Sequence, residues 1–249
     1  MPMKNFLLVL CMMAMSVAVM AQGKPCSGTA TVKDFDGNTY NTVQIGKQCW
    51  MKENLRTTHY ADGTSIPECT GFTFTKRCRY FPDENVNNVS TYGYLYNWAA
   101  VMNGAESSEA NPSGVMGICP TGWHVPSRAE WEQMEIYVRS RSEFRCDDDP
   151  EYIAKALADK KNWEEGEKNC AIGNDLKKNN ATGFSALPAG SYTGNYGKFA
   201  AFAILWSTTE RYDDDTYAGI RLFIWDEPDT KDFYFLKSGG FSLRCLRDQ

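Results

Sequence analysis

The sequence predicts an α+β fold that is stabilised by disulfide bonds. Segments rich in β-branched and aromatic residues lie towards both ends of the 249-residue chain, and the helical patterns lie in the middle. The length suits one large domain or two small ones, and no internal repeat or linker divides the chain. We therefore expect strands from the two ends to meet in mixed or antiparallel sheets, beside two or three helices.

Residues 1–21 have the pattern of a secretory signal peptide. Lys4 is followed by an apolar run, and Val19-Met20-Ala21 is a small-x-small cleavage site. A lipoprotein signal ending at Cys11 is the alternative, but Leu10 replaces the small residue that such signals need before the cysteine. We expect export to the periplasm, the cell surface or the medium, a short lead at 22–30 and a single domain at 31–248.

Charge argues against some classes of partner. Cleavage after Ala21 removes one lysine and no acid, which takes the net charge from −5 to −6. Nucleic acids and anionic membranes both attract basic surfaces, so neither is an expected partner. We expect no further transmembrane segment in the mature chain, and we interpret the acidic runs at 147–149 and 213–215 as solvated turns.

The first predicted element is a β-hairpin. The residues from Val32 to Phe35 and from Thr39 to Ile45 are β-prone, and Asp36-Gly37 between them is a strong turn signal. The same segment could be taken for a calcium loop. However, an EF-hand loop has its glycine at the sixth position, and Gly37 is the fourth residue from Asp34.

Residues 60–90 are rich in Gly, Pro, Asn and Asp, which is typical of a long loop, and Cys69 and Cys78 can tie it covalently. The next segment, TYGYLYNWAAVM, carries four aromatic residues between Tyr92 and Trp98. We predict a helix there with its aromatic side chains in the core, and a platform on which sugars stack is the alternative.

The segment CPTGWHVPSRAEW, residues 119–131, combines a cysteine, a histidine and a glutamate. It could be a catalytic or metal-binding cluster, or a corner that defines the fold. Ser127 and Glu130 have the spacing of a helix capping box, and Trp131, Met134 and Val138 continue at helical spacing. We interpret His124 as a structural residue, because the second histidine of the chain, His59, is far away in the sequence.

A second short helix is predicted after Asp149, which could cap it, with Pro150 at its first position and Ile153, Ala154 and Leu157 on its apolar side. From residue 183 onwards the pattern indicates strands and turns. The candidate strands are FSALPAGSY, AFAILWSTTE, TYAGIRLFIW, DFYFLK and FSLRCLR. The last two are predicted to form a hairpin through residues 238–240.

Eight cysteines remain after signal cleavage, and an even number in an exported chain indicates disulfides. Zinc binding is the alternative, but the chain has no C-x-x-C pair and only two histidines. Spacing alone leaves 105 possible pairings. The mature cysteines are Cys26, Cys49, Cys69, Cys78, Cys119, Cys146, Cys170 and Cys245.

Several long motifs occur in one order over about residues 31–248, and together they resemble a known family. The motifs are VKDFDGNTYNTVQIGKQCWMKENLRTTHYADG, TYGYLYNWAAVM, PSGVMGICPTGWHVPSRAEW, NNATGFSALPAG, ILWSTTE and LRCLRD. They are similar to the Fibrobacter succinogenes major paralogous domain of exported Bacteroidetes and Fibrobacteres proteins. That family in turn resembles the C-type lectin-like fold and the formylglycine-generating enzymes.

The resemblance implies a set of disulfides. The first cysteine of many C-type lectin domains pairs with one near the C-terminus, which implies a Cys119–Cys245 bond here. Cys146 and Cys170 tend to occur together in the family, which implies a second bond. Pairs Cys26–Cys49 and Cys69–Cys78 would complete the set. Residues 119–131 are then an architectural corner.

The function that we expect is a non-catalytic, exported or cell-surface domain that binds a glycan or a protein. A formylglycine-generating oxidase is one alternative, but it needs a reactive cysteine pair near the C-terminus, where this chain has only Cys245. A structural part of a surface assembly is another. Glu227-Pro228-Asp229 resembles a calcium-binding triplet of lectins, yet the WND partner motif is replaced by WSTT. We expect no catalytic residues, metal or cofactor, and the ligand-binding residues are unknown.

Overall fold

A computed structural model describes residues 23–248 of the chain, so the predicted signal peptide lies outside the described residues. The fold is α+β, as predicted, and its sheets are mostly antiparallel. The strands are β1 (Thr31–Lys33), β2 (Thr39–Ile45), β3 (Gln48–Met51), β4 (Arg79–Tyr80), β5 (Leu95–Tyr96), β6 (Trp123–His124), β7 (Ser191–Tyr192), β8 (Tyr196–Gly197), β9 (Phe202–Arg211), β10 (Asp214–Ile224), β11 (Lys231–Leu236) and β12 (Leu246–Arg247).

Four α-helices are present in the described part of the chain, one more than the upper expectation. They are α1 (Val89–Tyr92), α2 (Trp98–Met102), α3 (Arg128–Arg139) and α4 (Ala154–Leu157). Only α3 is longer than five residues. Short 3-10 turns lie at Pro82–Glu84, Val86–Asn88, Ser142–Phe144 and Leu176–Lys178.

The two ends of the described chain meet in one sheet, which confirms that expectation. The five strands follow the order β1-β2-β3-β12-β6, so the last strand lies inside the sheet, between β3 and β6. Leu246 of β12 is paired with Trp50 on one side and with His124 on the other. The hairpin of β1 and β2 forms around Asp36-Gly37, where Gly37 has a φ of +80° that a residue with a side chain rarely adopts.

A second sheet has the order β11-β10-β9 and contains the longest strands of the molecule. Helix α3 packs against both sheets through β2, β9 and β10. Trp131 of α3 lies 4.6 Å from Trp50, measured between ring centroids, and Phe184 meets both indoles edge-on. These three fully buried rings join the helix to the five-stranded sheet.

The aromatic segment after residue 91 departs from the predicted single helix. Gly93 ends α1 with a φ of +75°, at a position where a Cβ atom would lie 2.6 Å from the carbonyl oxygen of Leu55. The chain then extends into β5, and α2 begins only after Asn97, whose side chain accepts a hydrogen bond from the backbone N–H of Ala100. Tyr96 and Trp98 are buried, as the core interpretation requires, and cannot stack on a sugar.

The predicted cap of the second helix is wrong. Asp149 accepts a hydrogen bond from the backbone N–H of Glu151 at 2.9 Å, and residues 146–152 close on themselves as a turn. Helix α4 starts only at Ala154, and its N-cap residue Ile153 makes no side-chain hydrogen bond. The disulfide between Cys146 and Cys170 fixes this turn, which occupies the position where the helix was predicted to start.

The predicted hairpin through residues 238–240 is also wrong. Strand β11 pairs with β10, and the chain beyond it runs into the interior, where Phe241, Leu243 and Arg244 are fully buried. The backbone of this buried segment therefore forms hydrogen bonds with several other segments in turn, because each buried N–H and C=O group needs a hydrogen-bond partner. Of the predicted strand FSALPAGSY, β7 forms a strand and Ala186 forms an isolated bridge to Ala158.

The structure joins Cys119 to Cys245 and Cys146 to Cys170, as the resemblance implies, and it also joins the two remaining pairs, Cys26–Cys49 and Cys69–Cys78. These bonds fit an oxidising compartment. Their Cα–Cα distances lie between 5.5 and 5.9 Å, within the normal range for disulfides. Cys26–Cys49 attaches the N-terminal lead to β3, and Cys119–Cys245 closes the longest loop, with a sequence separation of 126. Within residues 23–248, no helix has the length and apolar character needed to cross a membrane.

The length of the closed loops predicts which disulfide contributes most to stability. In the chain-entropy treatment, the 126-residue loop of Cys119–Cys245 stabilises the fold by about 5 kcal/mol, and the 24-residue loop of Cys146–Cys170 by about 3.5 kcal/mol. We expect the Cys119→Ala/Cys245→Ala variant to lose about 1.5 kcal/mol more than Cys146→Ala/Cys170→Ala. Urea unfolding of both variants measures the difference, and an equal or reversed order would contradict it.

Candidate functional site

Residues 119–131 form the corner at which β6 and α3 meet the last strand. Cys119 is bonded to Cys245, and Trp123 is paired with Arg247 of β12. Ser127 and Glu130 form the capping box of α3, with the Glu130 N–H donating to Ser127 Oγ at 3.2 Å and the Ser127 N–H donating to Glu130 Oε2 at 3.0 Å. These contacts are architectural.

His124 has two carboxylate partners that the sequence analysis missed. Its Nε2 lies 2.8 Å from Glu130 Oε1, and its Nδ1 lies 2.6 Å from Asp248 Oδ1, although only 3% of the side chain is exposed. Burial alone disfavours a charged imidazole, but the hydrogen bonds and charges of Glu130 and Asp248 outweigh it, so the pKa of His124 is raised. Because both ring nitrogens are occupied, His124 has a structural role and joins β6, α3 and Asp248.

His59 does not assemble a catalytic triad either. Its Nδ1 lies 2.6 Å from Asp36 Oδ1 and 3.0 Å from Thr58 Oγ1, so the acid and the hydroxyl meet the same ring nitrogen. In a triad, the acid and the nucleophile occupy opposite nitrogens of the ring. His59 therefore connects its own segment, residues 57–59, to the β1–β2 turn. Its ring centroid lies 5.6 Å from that of Phe35.

The acidic motifs are engaged by the protein itself. Asp213 pairs with Arg211, and Asp214 accepts a hydrogen bond from Thr216, in the turn between β9 and β10. Glu227 pairs with Lys168 and Asp229 with Lys231, which makes the lectin-like triplet a turn closed by lysines.

Cys146, Asp147 and Cys170 bring three potential ligand atoms within 4.8 Å. Both sulfur atoms are in one disulfide, however, and a metal requires thiolates. Asp147 also accepts a hydrogen bond from Asn169. The cluster is therefore explained by the disulfide.

A buried lysine is a further feature that the sequence analysis missed. Lys155 Nζ donates to the carbonyl oxygens of Ala171, at 3.1 Å, Ile172, at 3.4 Å, and Asn174. Burial lowers the pKa of Lys155 to about 8. The ammonium group thus holds the loop at 171–174 against α4 and is not available to a ligand.

A partly apolar opening in the described residues is a cleft between α3 and the turn that joins β2 to β3. Its cavity volume of about 530 Å³ lies in the range of small-molecule sites. We call it the α3 cleft, and its main lining residues are Lys47, Gln48, Gln133, Ile136, Tyr137 and Arg141. Ile136 was the available sequence signal, because this apolar residue lies off the buried stripe of α3 and is 57% exposed.

The walls of the α3 cleft are held in place. Tyr137 packs against Gly46, where a Cβ atom would lie 3.0 Å from the ring, and the Arg141 guanidinium lies over the same ring at 5.2 Å from its centroid. Gln48 is buried and its Nε2 donates to the carbonyl oxygen of Glu130 at 2.8 Å. The cleft is therefore preformed by contacts between β3 and α3.

A second exposed feature is the loop closed by Cys69–Cys78, which we call the aromatic loop (residues 69–78). Phe72 and Phe74 are 38% and 46% exposed and meet edge to face, with ring centroids 6.1 Å apart. Asn97 Nδ2 donates to the carbonyl oxygens of Thr73, at 3.1 Å, and Lys76, at 2.7 Å. The loop thus displays two aromatic rings on an anchored backbone.

Comparisons with known proteins give one match. A family model described as the Fibrobacter succinogenes major domain matches residues 43–247. Neither the curated proteins nor the solved structures contain a match to this chain. The matched range covers α3, the corner at 119–131 and both exposed features.

The raised pKa of His124 predicts how stability depends on pH. A histidine with a higher pKa in the folded state stabilises the fold fully below its unfolded pKa of about 6.5, and this stabilisation is lost as the pH rises through the folded pKa. We therefore expect the free energy of unfolding to fall over this range, and to fall less in the His124→Gln variant. Urea unfolding at a series of pH values measures both.

His59→Gln is the matched control, and we expect it to keep the decrease of the wild type. Lys155 has its pKa lowered to about 8, so it acts in the opposite direction at higher pH, but it is common to all three proteins. Stability that does not fall above pH 6.5 in the wild type, or equal slopes in the wild type and His124→Gln, would contradict the assignment.

Proposed function

Because the chain belongs to the Fibrobacter succinogenes major domain family, we propose that residues 31–248 form a single exported, non-catalytic domain that binds a glycan in the α3 cleft. The same proposal gives the domain a C-type lectin-like fold. Supporting it are the meeting of the terminal strands in one sheet, the capped helix α3 and the Cys119–Cys245 bond at the corner.

The α3 cleft is the observation that carries the proposal. It combines an exposed aliphatic side chain, an aromatic ring and several amide and cationic groups in one opening of about 530 Å³. Glycans need this combination, because a sugar ring has apolar faces of C–H groups and a rim of hydroxyls that both donate and accept hydrogen bonds. The preformed walls lower the entropic cost of binding.

The chemistry of the reactive side chains supports a non-catalytic role. His124 is buried between two carboxylates, and His59 meets its acid and its hydroxyl at one nitrogen. All eight cysteines of the described chain are joined in disulfides, so an oxidase that depends on a thiol pair lacks its reactive group here. Binding requires none of these groups.

A glycan array probed with the mature protein, with and without calcium, tests the proposal. We expect binding that does not depend on calcium and that Ile136→Glu weakens by about 10-fold or more, because a carboxylate at that position interrupts the apolar wall. Val86→Glu is the matched control, since Val86 is 58% exposed, close to the 57% of Ile136, and lies outside the cleft. Equal losses in both variants, or no loss in either, would place the ligand elsewhere.

The aromatic loop favours a second candidate function, which is binding to a protein. Exposed aromatic residues on an anchored loop lose little conformational entropy on association, and such residues dominate the energy of many protein interfaces. Tyr80 and Tyr192 support the loop from below by donating to the carbonyl oxygens of Gly71, at 3.0 Å, and Thr70, at 3.1 Å. In this alternative the partner covers Phe72 and Phe74.

A pull-down from the extracellular proteins of the source culture tests this alternative. We expect a Phe72→Ser/Phe74→Ser variant to lose a specific partner, while Tyr212→Ser, which changes an aromatic residue that is 94% exposed, keeps it. A partner retained by the double variant would exclude the aromatic loop as its binding site. Melting temperatures of the three proteins show whether each variant is folded.

A further inference from the structure

We propose that the α3 cleft recognises an acidic glycan, whose carboxylate or sulfate group is bound by Arg141 and Lys47. This inference rests on the proposed function, because it names the class of glycan that the cleft takes. The mature chain has a predicted net charge of −6, yet both charged residues that line the cleft are cations. A positively charged cleft on a molecule with a negative net charge favours anionic ligands, which the rest of the molecule repels.

Arg141 and Lys47 are free to bind an anion. Neither makes an ion pair with any residue between 23 and 248, whereas Arg128, Arg139 and Arg221 all do. The contact of Arg141 with the Tyr137 ring restricts the guanidinium without occupying its N–H groups. A planar guanidinium held in this way can donate two parallel hydrogen bonds to a carboxylate or sulfate.

One glutamine side chain adds a hydrogen-bonding group for sugar hydroxyls. Gln133 Oε1 accepts from Asn111 Nδ2 at 2.6 Å, which orients the amide and leaves the Nε2 hydrogens without an acceptor among the described residues. Gln48 is buried and donates through Nε2 to the Glu130 carbonyl, so it supports the wall of the cleft. Gln133 thus offers an unused donor to a hydroxyl oxygen of the sugar.

Isothermal titration of the mature protein tests the inference with four probes. They are a trisaccharide of galacturonic acid, the neutral galactose trisaccharide, a sulfated galactose trisaccharide and a tri-glutamate peptide. We expect the acidic sugars to bind at least about 10-fold more tightly than the neutral one, and to weaken as NaCl rises from about 0.05 to about 0.5 M. The ratio between the two acidic sugars shows whether carboxylate or sulfate is preferred.

Arg141→Gln removes the charge and keeps a hydrogen-bonding side chain. We expect it to weaken the preferred acidic sugar by about 10-fold and to leave the neutral sugar unchanged. Arg56→Gln is the matched control, because Arg56 also lies over a tyrosine ring, 4.7 Å from the Tyr40 centroid, but outside the cleft. We expect no effect from this control.

The outcomes separate the two levels of the proposal. If the neutral sugar binds as tightly as the acidic ones and Ile136→Glu abolishes binding, the acidic preference is wrong while the glycan function stands. If the peptide binds as tightly as galacturonate and depends on Arg141, the cleft is a protein site and both proposals fail. If no sugar binds at all, the glycan function itself is wrong. If Arg56→Gln weakens the acidic sugar as much as Arg141→Gln does, the anion is not bound specifically in the α3 cleft and the inference is wrong.

Discussion

The disulfide between Cys119 and Cys245 holds the last strand between β3 and β6 inside the five-stranded sheet, and the other layers depend on this placement. Strand β12 lies between β3 and β6. Within this sheet, the strands at the start of the domain are therefore connected to β6, in the corner before α3, only through β12. His124 reinforces the same junction by contacting Glu130 on one side and Asp248 on the other. The position of α3, and with it the cleft, follows from how β12 is fixed.

Buried cations provide the second set of constraints. The Arg244 side chain is fully buried and bonds to Asn54 Oδ1, at 2.9 Å, and to the carbonyl oxygens of Phe184 and Ser185. Burial lowers the pKa of Arg244 to about 9, which is still above neutrality, so the charge persists and is stabilised by oxygen dipoles. Together with Lys155, this residue fixes irregular segments to the core, because a buried charge must keep its hydrogen-bond partners.

Local signals in the sequence predicted local structure well. Asp36-Gly37 indicated the first hairpin, and the spacing of Ser127 and Glu130 indicated the start of α3. The predictions failed where residues that are distant in the sequence determine the local structure. Glycines at 239–240 resemble a hairpin turn, but the following chain is buried on all sides, and His124 meets an acid 124 residues away. The α3 cleft left one trace in the sequence, the off-stripe Ile136, because its other wall comes from a remote turn.

The interior position of β12 has a consequence for how the domain is made. Residues 246–247 follow all the other strands of the five-stranded sheet in the sequence, so the sheet lacks an interior strand until they have been synthesised. Until residues 245–247 have been synthesised, the edges of β3 and β6 that pair with β12 have no partner strand. The sheet therefore closes only after the preceding strands have been synthesised, and a truncation that removes residues 246–248 would delete an interior strand and not an edge strand.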